Sequence, residues 1–242
     1  MKKLLLLVLA LLVSGPAYAA NIDLSTWSAV GSGSWSVGGG GDYVHQSVNT
    51  SNGTYFLSDT DYLNSTFEGK FQVRENGDDD FIGFVFGYQS STDYYLLDWK
   101  QGTQTWNGGT AQEGFTLSHV TSATSQNDFW RHEGMTVLGT DYGSDRGWAD
   151  WQEYDFLLTY TANMIQIAIN GGAFDNEVIF TVMGNYATGK FGFYNYSQPH
   201  VRYQGFEENY TPPTPDPVPE PTTMVLFGFG LLGVAGAARR RV

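Results

Sequence analysis

Between residues 20 and 210 the apolar side chains recur at every second position, and this period constrains the fold more than any other feature of the chain. In residues 66–74, Phe67, Gly69, Phe71 and Val73 alternate with Glu68, Lys70, Gln72 and Arg74. A strand turns successive side chains to opposite faces, so one face here is apolar and the other wet. Residues 163–170 repeat the pattern, with Ile165, Ile167 and Ile169 on one side and Gln166 and Asn170 on the other. Residues 81–88 differ: Ile82, Phe84, Phe86 and Tyr88 would share one face and Gly83, Val85 and Gly87 the other, and neither face is polar. That pattern predicts a central strand covered on both sides, its glycines admitting bulky neighbours.

Further strands are predicted at residues 94–100, 152–160, 177–182, 190–194 and 201–207. Turn signals such as Asn76-Gly77 and Asn170-Gly171-Gly172 separate the segments. No long amphipathic helix is evident. Residues 126–150 break the rhythm and read as a long connection with some packing of its own, holding Trp130, His132, Tyr142, Arg146 and Trp148. Many short antiparallel strands between turns make an all-β, two-sheet sandwich or jelly roll.

The ends read as addresses rather than fold. Lys2 and Lys3, the apolar run of residues 4–13 and Ala17-Tyr18-Ala19 have the layout of a cleavable secretory signal over residues 1–19. The sandwich occupies residues 20–210. Residues 211–221 are rich in Pro and Thr, an extended and semi-rigid spacer. Residues 222–242 are apolar and Gly-containing and end on Arg239, Arg240 and Arg241. Such a basic cluster stays on the cytoplasmic side of a membrane. Pro219, Glu220 and Pro221, followed by the apolar stretch and the arginines, resemble the PEP-CTERM sorting signal of exopolysaccharide-producing bacteria. The resemblance implies export, a transient inner-membrane anchor, processing by an exosortase-type protease, and release to the cell surface or extracellular matrix.

Charge narrows the partners. The chain has 25 acidic and 12 basic residues, a net charge of −13. Five of the basic residues lie in the two end segments; without them seven remain, and the rest of the chain stands near −18. Nucleic acid and anionic membrane need a basic footprint, which is missing. Cysteine is absent, which excludes disulfides, zinc-thiolate sites and a thiol nucleophile.

The segments Asp78-Asp79-Asp80-Phe81-Ile82-Gly83-Phe84-Val85-Phe86-Gly87-Tyr88-Gln89 and Tyr94-Tyr95-Leu96-Leu97-Asp98-Trp99-Lys100-Gln101 resemble the C-terminal domain of thrombospondins. So do Phe67-Glu68-Gly69-Lys70-Phe71, Trp130-Arg131-His132-Glu133-Gly134, Gly147-Trp148 and Gly189-Lys190-Phe191-Gly192-Phe193, in the same order across residues 25–208. The resemblance implies a concanavalin-A-like jelly roll, calcium binding, roles in adhesion and matrix association, and no catalysis. The aspartate repeats that precede the animal domain are missing, so the receptors of the animal proteins are not carried over.

Three consecutive carboxylates at Asp78, Asp79 and Asp80 repel one another unless a positive charge offsets them. Calcium, which takes 6–8 oxygen ligands, is the natural candidate. Asp93 and Asp98 from the neighbouring hairpin could complete its shell; a solvated acidic turn is the alternative. Trp106, Trp130, Trp148 and Trp151 are candidates for a sugar-stacking surface, although most Trp in a sandwich is core. Glu153 and Asp155 would share a strand face, the minimum a glycan-active enzyme needs, but the second Glu expected shortly after them is absent. His45, His119, His132 and His200 are widely spaced, and no pair has metal-ligand spacing. These features favour a calcium-stabilised, non-catalytic adhesion or matrix module. An exopolysaccharide-binding lectin comes second, and a glycan-active enzyme third.

Overall fold

The alternation at residues 66–74 becomes a nine-residue strand, Ser65–Val73, with Phe67, Phe71 and Val73 buried and Glu68 exposed. In the computed structural model, which describes residues 22–205, the strands run in chain order as β1 (Ser28–Val30), β2 (Trp35–Val37), β3 (Tyr43–Gln46), β4 (Thr54–Tyr62), β5 (Ser65–Val73), β6 (Phe81–Ser90), β7 (Asp93–Lys100), β8 (Gln104–Trp106), β9 (Gly109–Ala111), β10 (Gly114–Val120), β11 (Met135–Tyr142), β12 (Glu153–Tyr160), β13 (Met164–Gly171), β14 (Phe174–Met183), β15 (Gly189–Tyr196) and β16 (Val201–Gln204). The signal at residues 1–19, the segments from 211 onward and the end of the 201–207 strand lie outside the described residues.

One sheet has the order β1-β4-β15-β6-β7-β10-β11 and the other β14-β13-β12-β5-β16-β3-β2. All their pairings are antiparallel. The chain changes sheet after β1, β3, β4, β5, β11, β14 and β15, so neighbours within a sheet are often far apart in sequence. This is the two-sheet jelly roll that the alternation and turn spacing predict.

Between the sheets, aromatic rings interlock. Phe67 stacks on Phe191 at 4.3 Å, Phe193 on Tyr203 at 4.4 Å, and Trp99 on Phe115 at 4.3 Å. Each fully buried ring contributes roughly 1.5–3 kcal/mol by leaving water, and no disulfide is available to assist. Central strand β6 is covered on both sides, as its sequence implies. Ile82, Phe84 and Phe86 enter the inter-sheet core, while Phe81 and Val85 enter a second cluster on the outer face of the first sheet. Gly83 is required there by space, because a Cβ would lie 2.0 Å from the Leu97 carbonyl oxygen.

Tyr88 departs from the expected face. Its ring packs in the outer cluster, 5.2 Å from Tyr94 and 6.0 Å from Tyr55. Gly87 has φ +57°, and the pairing of β6 with β7 shifts register between Phe86 and Ser90. The bulge rotates the strand by one residue and turns Tyr88 outward.

The expected connection over residues 126–150 is also more regular than its composition suggests. It contains a short helix, α1 (Gln126–Arg131), and the edge strand β11. The Ser125 hydroxyl accepts from the Asp128 N–H, and the Asp128 carboxylate accepts from the Ser125 N–H, forming a capping box. Phe129 and Trp130 of α1 cover the outer face of the first sheet. Burial on both faces removes alternation, and this explains why β4 and β10 escape a period-two reading: Thr54 to Ser58 and Gly114 to Ser118 are continuously buried.

Candidate functional site

The Asn76-Gly77 turn delivers Asp78, Asp79 and Asp80 to the entrance of β6. One carboxylate oxygen from each lies within 4.8 Å of the others. The positive charge that lets them gather comes partly from the chain itself. Lys100, at the end of the neighbouring strand β7, is wholly buried, and its ammonium lies 2.8 Å from Asp79 Oδ1 and 3.3 Å from Asp80 Oδ1. It also donates to the Asp79 carbonyl at 2.7 Å. The rings of Trp130 and Phe81 lie 5.4 and 5.9 Å from it.

One ammonium against three carboxylates leaves a formal charge of −2. The Asp80 N–H donates to Gln198 Oε1 at 3.0 Å, and its carbonyl accepts from the Trp148 indole at 3.1 Å, so the backbone of Asp80 is fixed. Asp80 Oδ1, in contrast, is buried without a hydrogen bond among the described residues. Burial pushes the Asp80 carboxyl above its ordinary value, against the opposing pull of Lys100. Burial raises Asp78 as well, and the Glu75 and Asp79 carboxylates add to that rise. A buried oxygen that accepts no hydrogen bond and has only an ion pair with Lys100, a residual charge of −2 and an all-oxygen donor set fit a hard divalent cation. Asp78, Asp79 and Asp80 are the residues that would hold it.

The other two expected ligands stand elsewhere. Asp98 is buried on β7 and engages His132 Nε2 at 2.9 and 3.2 Å. Asp93 begins β7, seven residues before Lys100, which is roughly 23 Å along a strand; its carboxylate meets His119 Nε2 at 2.9 Å. The five aspartates therefore divide into one cluster and two separate carboxylate–histidine pairs.

Burial alone would lower the His132 imidazole, but the Asp98 carboxylate outweighs it and the net shift is upward. A histidine pKa raised in the fold contributes stability that is fully present below its unfolded value of about 6.5 and is lost as pH rises through the folded value. Melting the native protein and His132→Asn from about pH 5 to 9 should show this loss in the native protein only. Asn tolerates the left-handed backbone (φ +54°) of His132. An identical pH slope in the variant would contradict the assignment.

Of the tryptophans, Trp148 is buried and cannot offer a face to a sugar; its indole N–H donates to the carbonyls of Asp80 and Trp99. Trp130 is likewise buried. Trp106 is partly exposed and stands edge-on to Trp130 at 5.8 Å, and Trp151 is 58% exposed. Glu153 and Asp155 do share the solvent face of the second sheet, where both engage Lys70, at 2.6 and 3.3 Å.

Sequence reasoning did not find Lys100 or Gln198. A lysine ending a strand ordinarily reaches solvent, and Gln198 lies 118 residues from Asp80. The Asp98-x-Lys100 spacing, which places both on one face of β7, is the signal that was available for Lys100.

Residues 31–210 match the thrombospondin C-terminal region, and residues 217–241 match the PEP-CTERM protein-sorting motif. Among curated proteins, human thrombospondin-2 is 34% identical over 156 residues, covering 57% of this chain and 13% of the relative. Human cartilage oligomeric matrix protein is 31% identical over 188 residues, covering 69% of this chain and 24% of the relative. The chain thus spans a small part of these relatives' length. Among solved structures, the carbohydrate binding module CBM66 from Bacillus subtilis superposes with a TM-score of 0.54 at 11% identity, over 76% of this chain and 95% of that one. The exoplasmic/lumenal domain of VIP36, in its Ca2+/Man-bound form, gives 0.51 at 14%, over 79% and 86%. These likenesses establish the shared jelly roll. The chain belongs to the thrombospondin C-terminal region family and carries a PEP-CTERM sorting motif.

Proposed function

We propose that this protein is an exported, non-catalytic adhesion or matrix-associated module whose sandwich is stabilised by calcium at Asp78, Asp79 and Asp80. The observation that carries the calcium reading is the buried Asp80 Oδ1, which accepts no hydrogen bond among the described residues and has only the 3.3 Å ion pair with Lys100, in a cluster that Lys100 neutralises only in part. The PEP-CTERM motif supports delivery by an exosortase-type protease: a transient inner-membrane anchor at residues 222–242, cleavage near Pro219-Glu220-Pro221, and passage of the sandwich, residues 20–210, to the surface or matrix. A secretory signal at residues 1–19 starts that route. Glu153 and Asp155 share a single lysine on an open sheet face, an arrangement that suits an electrostatic clamp better than an acid–base pair.

Calcium should raise the melting temperature of the chelator-treated protein, and magnesium should not. At a hundredfold excess over Kd, binding adds about 2.7 kcal/mol, roughly 5–11 °C for a domain of this size. Asp80→Asn should abolish the calcium shift while leaving the metal-free protein folded. No shift with native protein in millimolar calcium would sink the reading.

A second reading, exopolysaccharide binding, is favoured by one observation. The solvent face of the second sheet forms an open cavity of about 820 Å³ in which polar groups, among them Glu68, Lys70, Gln166 and Asn170, alternate with apolar ones such as Leu157 and Val178. Such a surface suits a hydroxyl-rich chain.

A further inference from the structure

The described part of this acidic chain contains seven Lys and Arg residues. Five of them, Lys70, Lys100, Arg131, Arg146 and Lys190, pair with carboxylates. Arg74 and Arg202 have no acidic partner among the described residues, and they occur together. With Tyr43, His45, Trp151 and His200 they line a concavity of about 400 Å³ beyond the end of β5.

The site is held rigidly. The Trp151 N–H donates to the Val73 carbonyl at 2.9 Å and the Arg74 N–H to the His200 carbonyl at 2.8 Å, so both flanking loops are fastened to the end of β5. The Gln72 side-chain amide donates to the Trp151 carbonyl at 2.7 Å. Trp151 and His200 both hold left-handed backbone, φ +61° and +56°. Non-glycine residues in that region persist only where their surroundings impose it, and they concentrate at binding sites.

Its charge is unbalanced. The Arg202 guanidinium lies 3.7 Å above the Tyr43 ring, and its Nε is buried without a hydrogen bond among the described residues. The His45 and His200 rings stack with centroids 5.7 Å apart. Burial lowers the His45 imidazole, and His200, Arg74 and Arg202 lower it further, the response expected where positive groups crowd without a counter-ion. A chain with twice as many acids as bases has no shortage of carboxylates to place here, yet among the described residues none lines this concavity. The Arg forks match a carboxylate. Trp151, beside them, offers an exposed flat ring to an apolar sugar face.

We infer that this concavity binds the carboxylate-bearing sugar of an acidic polysaccharide, with Arg74 and Arg202 taking the carboxylate and Trp151 stacking on the pyranose ring. Arg202 and Tyr43 also line the larger cavity of the second sheet, so a chain seated on one site can continue into the other. The inference rests on the exopolysaccharide reading and is independent of calcium.

Calorimetric titration of the purified full-length chain, in the presence of chelator, tests it with trigalacturonate, neutral maltotriose and sodium sulfate. Trigalacturonate should bind at least tenfold more tightly than either of the others and weaken as salt rises. Arg74→Gln and Trp151→Ala, both at exposed positions, should each cost at least tenfold in that affinity with an unchanged melting temperature; Arg202→Gln should do the same where it folds. Sulfate binding as tightly as trigalacturonate would reduce the site to a simple anion hole and overturn the sugar assignment. Maltotriose binding equally well, unaffected by the arginine substitutions, would preserve the exopolysaccharide reading and overturn this one. No binding of either sugar would remove both.

Discussion

Lys100→Met should destabilise the metal-free protein by about 3 kcal/mol and make its stability far more dependent on calcium. Lys100 is fully buried, and its ammonium is the positive group nearest to Asp79 and Asp80. Methionine preserves most of the stem that packs near Phe81 and Trp130 but removes the charge. Asp80 is then buried beside the Asp78 and Asp79 carboxylates with no cation. Breaking a buried pair typically costs 3–5 kcal/mol, and the lower end applies because Asp79 retains 38% side-chain exposure. The variant's cluster would carry a formal charge of −3 in place of −2, so calcium should restore most of the loss and give a larger melting shift than in the native protein. Denaturant unfolding with chelator and with calcium checks both parts. A loss below about 1 kcal/mol, typical of a surface pair, would mean that the lysine is not the internal counter-ion. A calcium shift no larger than in the native protein would separate Lys100 from the cation site.

Trp148→Ala should cost about 3–5 kcal/mol, whereas Trp151→Ala should change stability by no more than about 0.5 kcal/mol. Both were candidates for a sugar platform, and burial divides them: Trp148 is 2% exposed and Trp151 58%. Removing the Trp148 indole leaves a cavity in the core and takes one donor from two buried carbonyls, those of Asp80 and Trp99. Trp148→Phe should lose roughly 1–3 kcal/mol, mainly for those two unsatisfied acceptors. It should also weaken calcium, because the Asp80 backbone is then less firmly held. Equal melting temperatures for the two alanine variants would contradict the division.

What could be read in the sequence follows from how each element is buried. β5 and β13 have one wet face, so their alternation is plain. β6 is covered on both sides, and its glycines still betray it. β4 and β10 are buried continuously and carry no period, and the regularity of β11 is hidden within a stretch of glycine and acids. Asp78, Asp79 and Asp80 stand consecutively, so their cluster is visible in one dimension. The counter-ion, the Asp98–His132 pair and the four-residue assembly of Arg74, Arg202, His45 and His200 are brought together by sheet order. His45 and His200 are 155 positions apart in the chain yet stack because β3 and β16 are neighbours. Asp93 and Asp98 seemed equivalent in the hairpin sequence, but the length of β7 separates Asp93 from the cluster and His132 claims Asp98.

The most direct test of the proposed calcium site is a crystal structure of the native protein grown in millimolar calcium, with anomalous scattering to locate the ion. The account predicts an anomalous peak at the entrance of β6, about 2.3–2.6 Å from carboxylate oxygens of the Asp78–Asp80 cluster, Asp80 Oδ1 among them. A cluster closed by Lys100 and solvent alone, with no peak there, would contradict it.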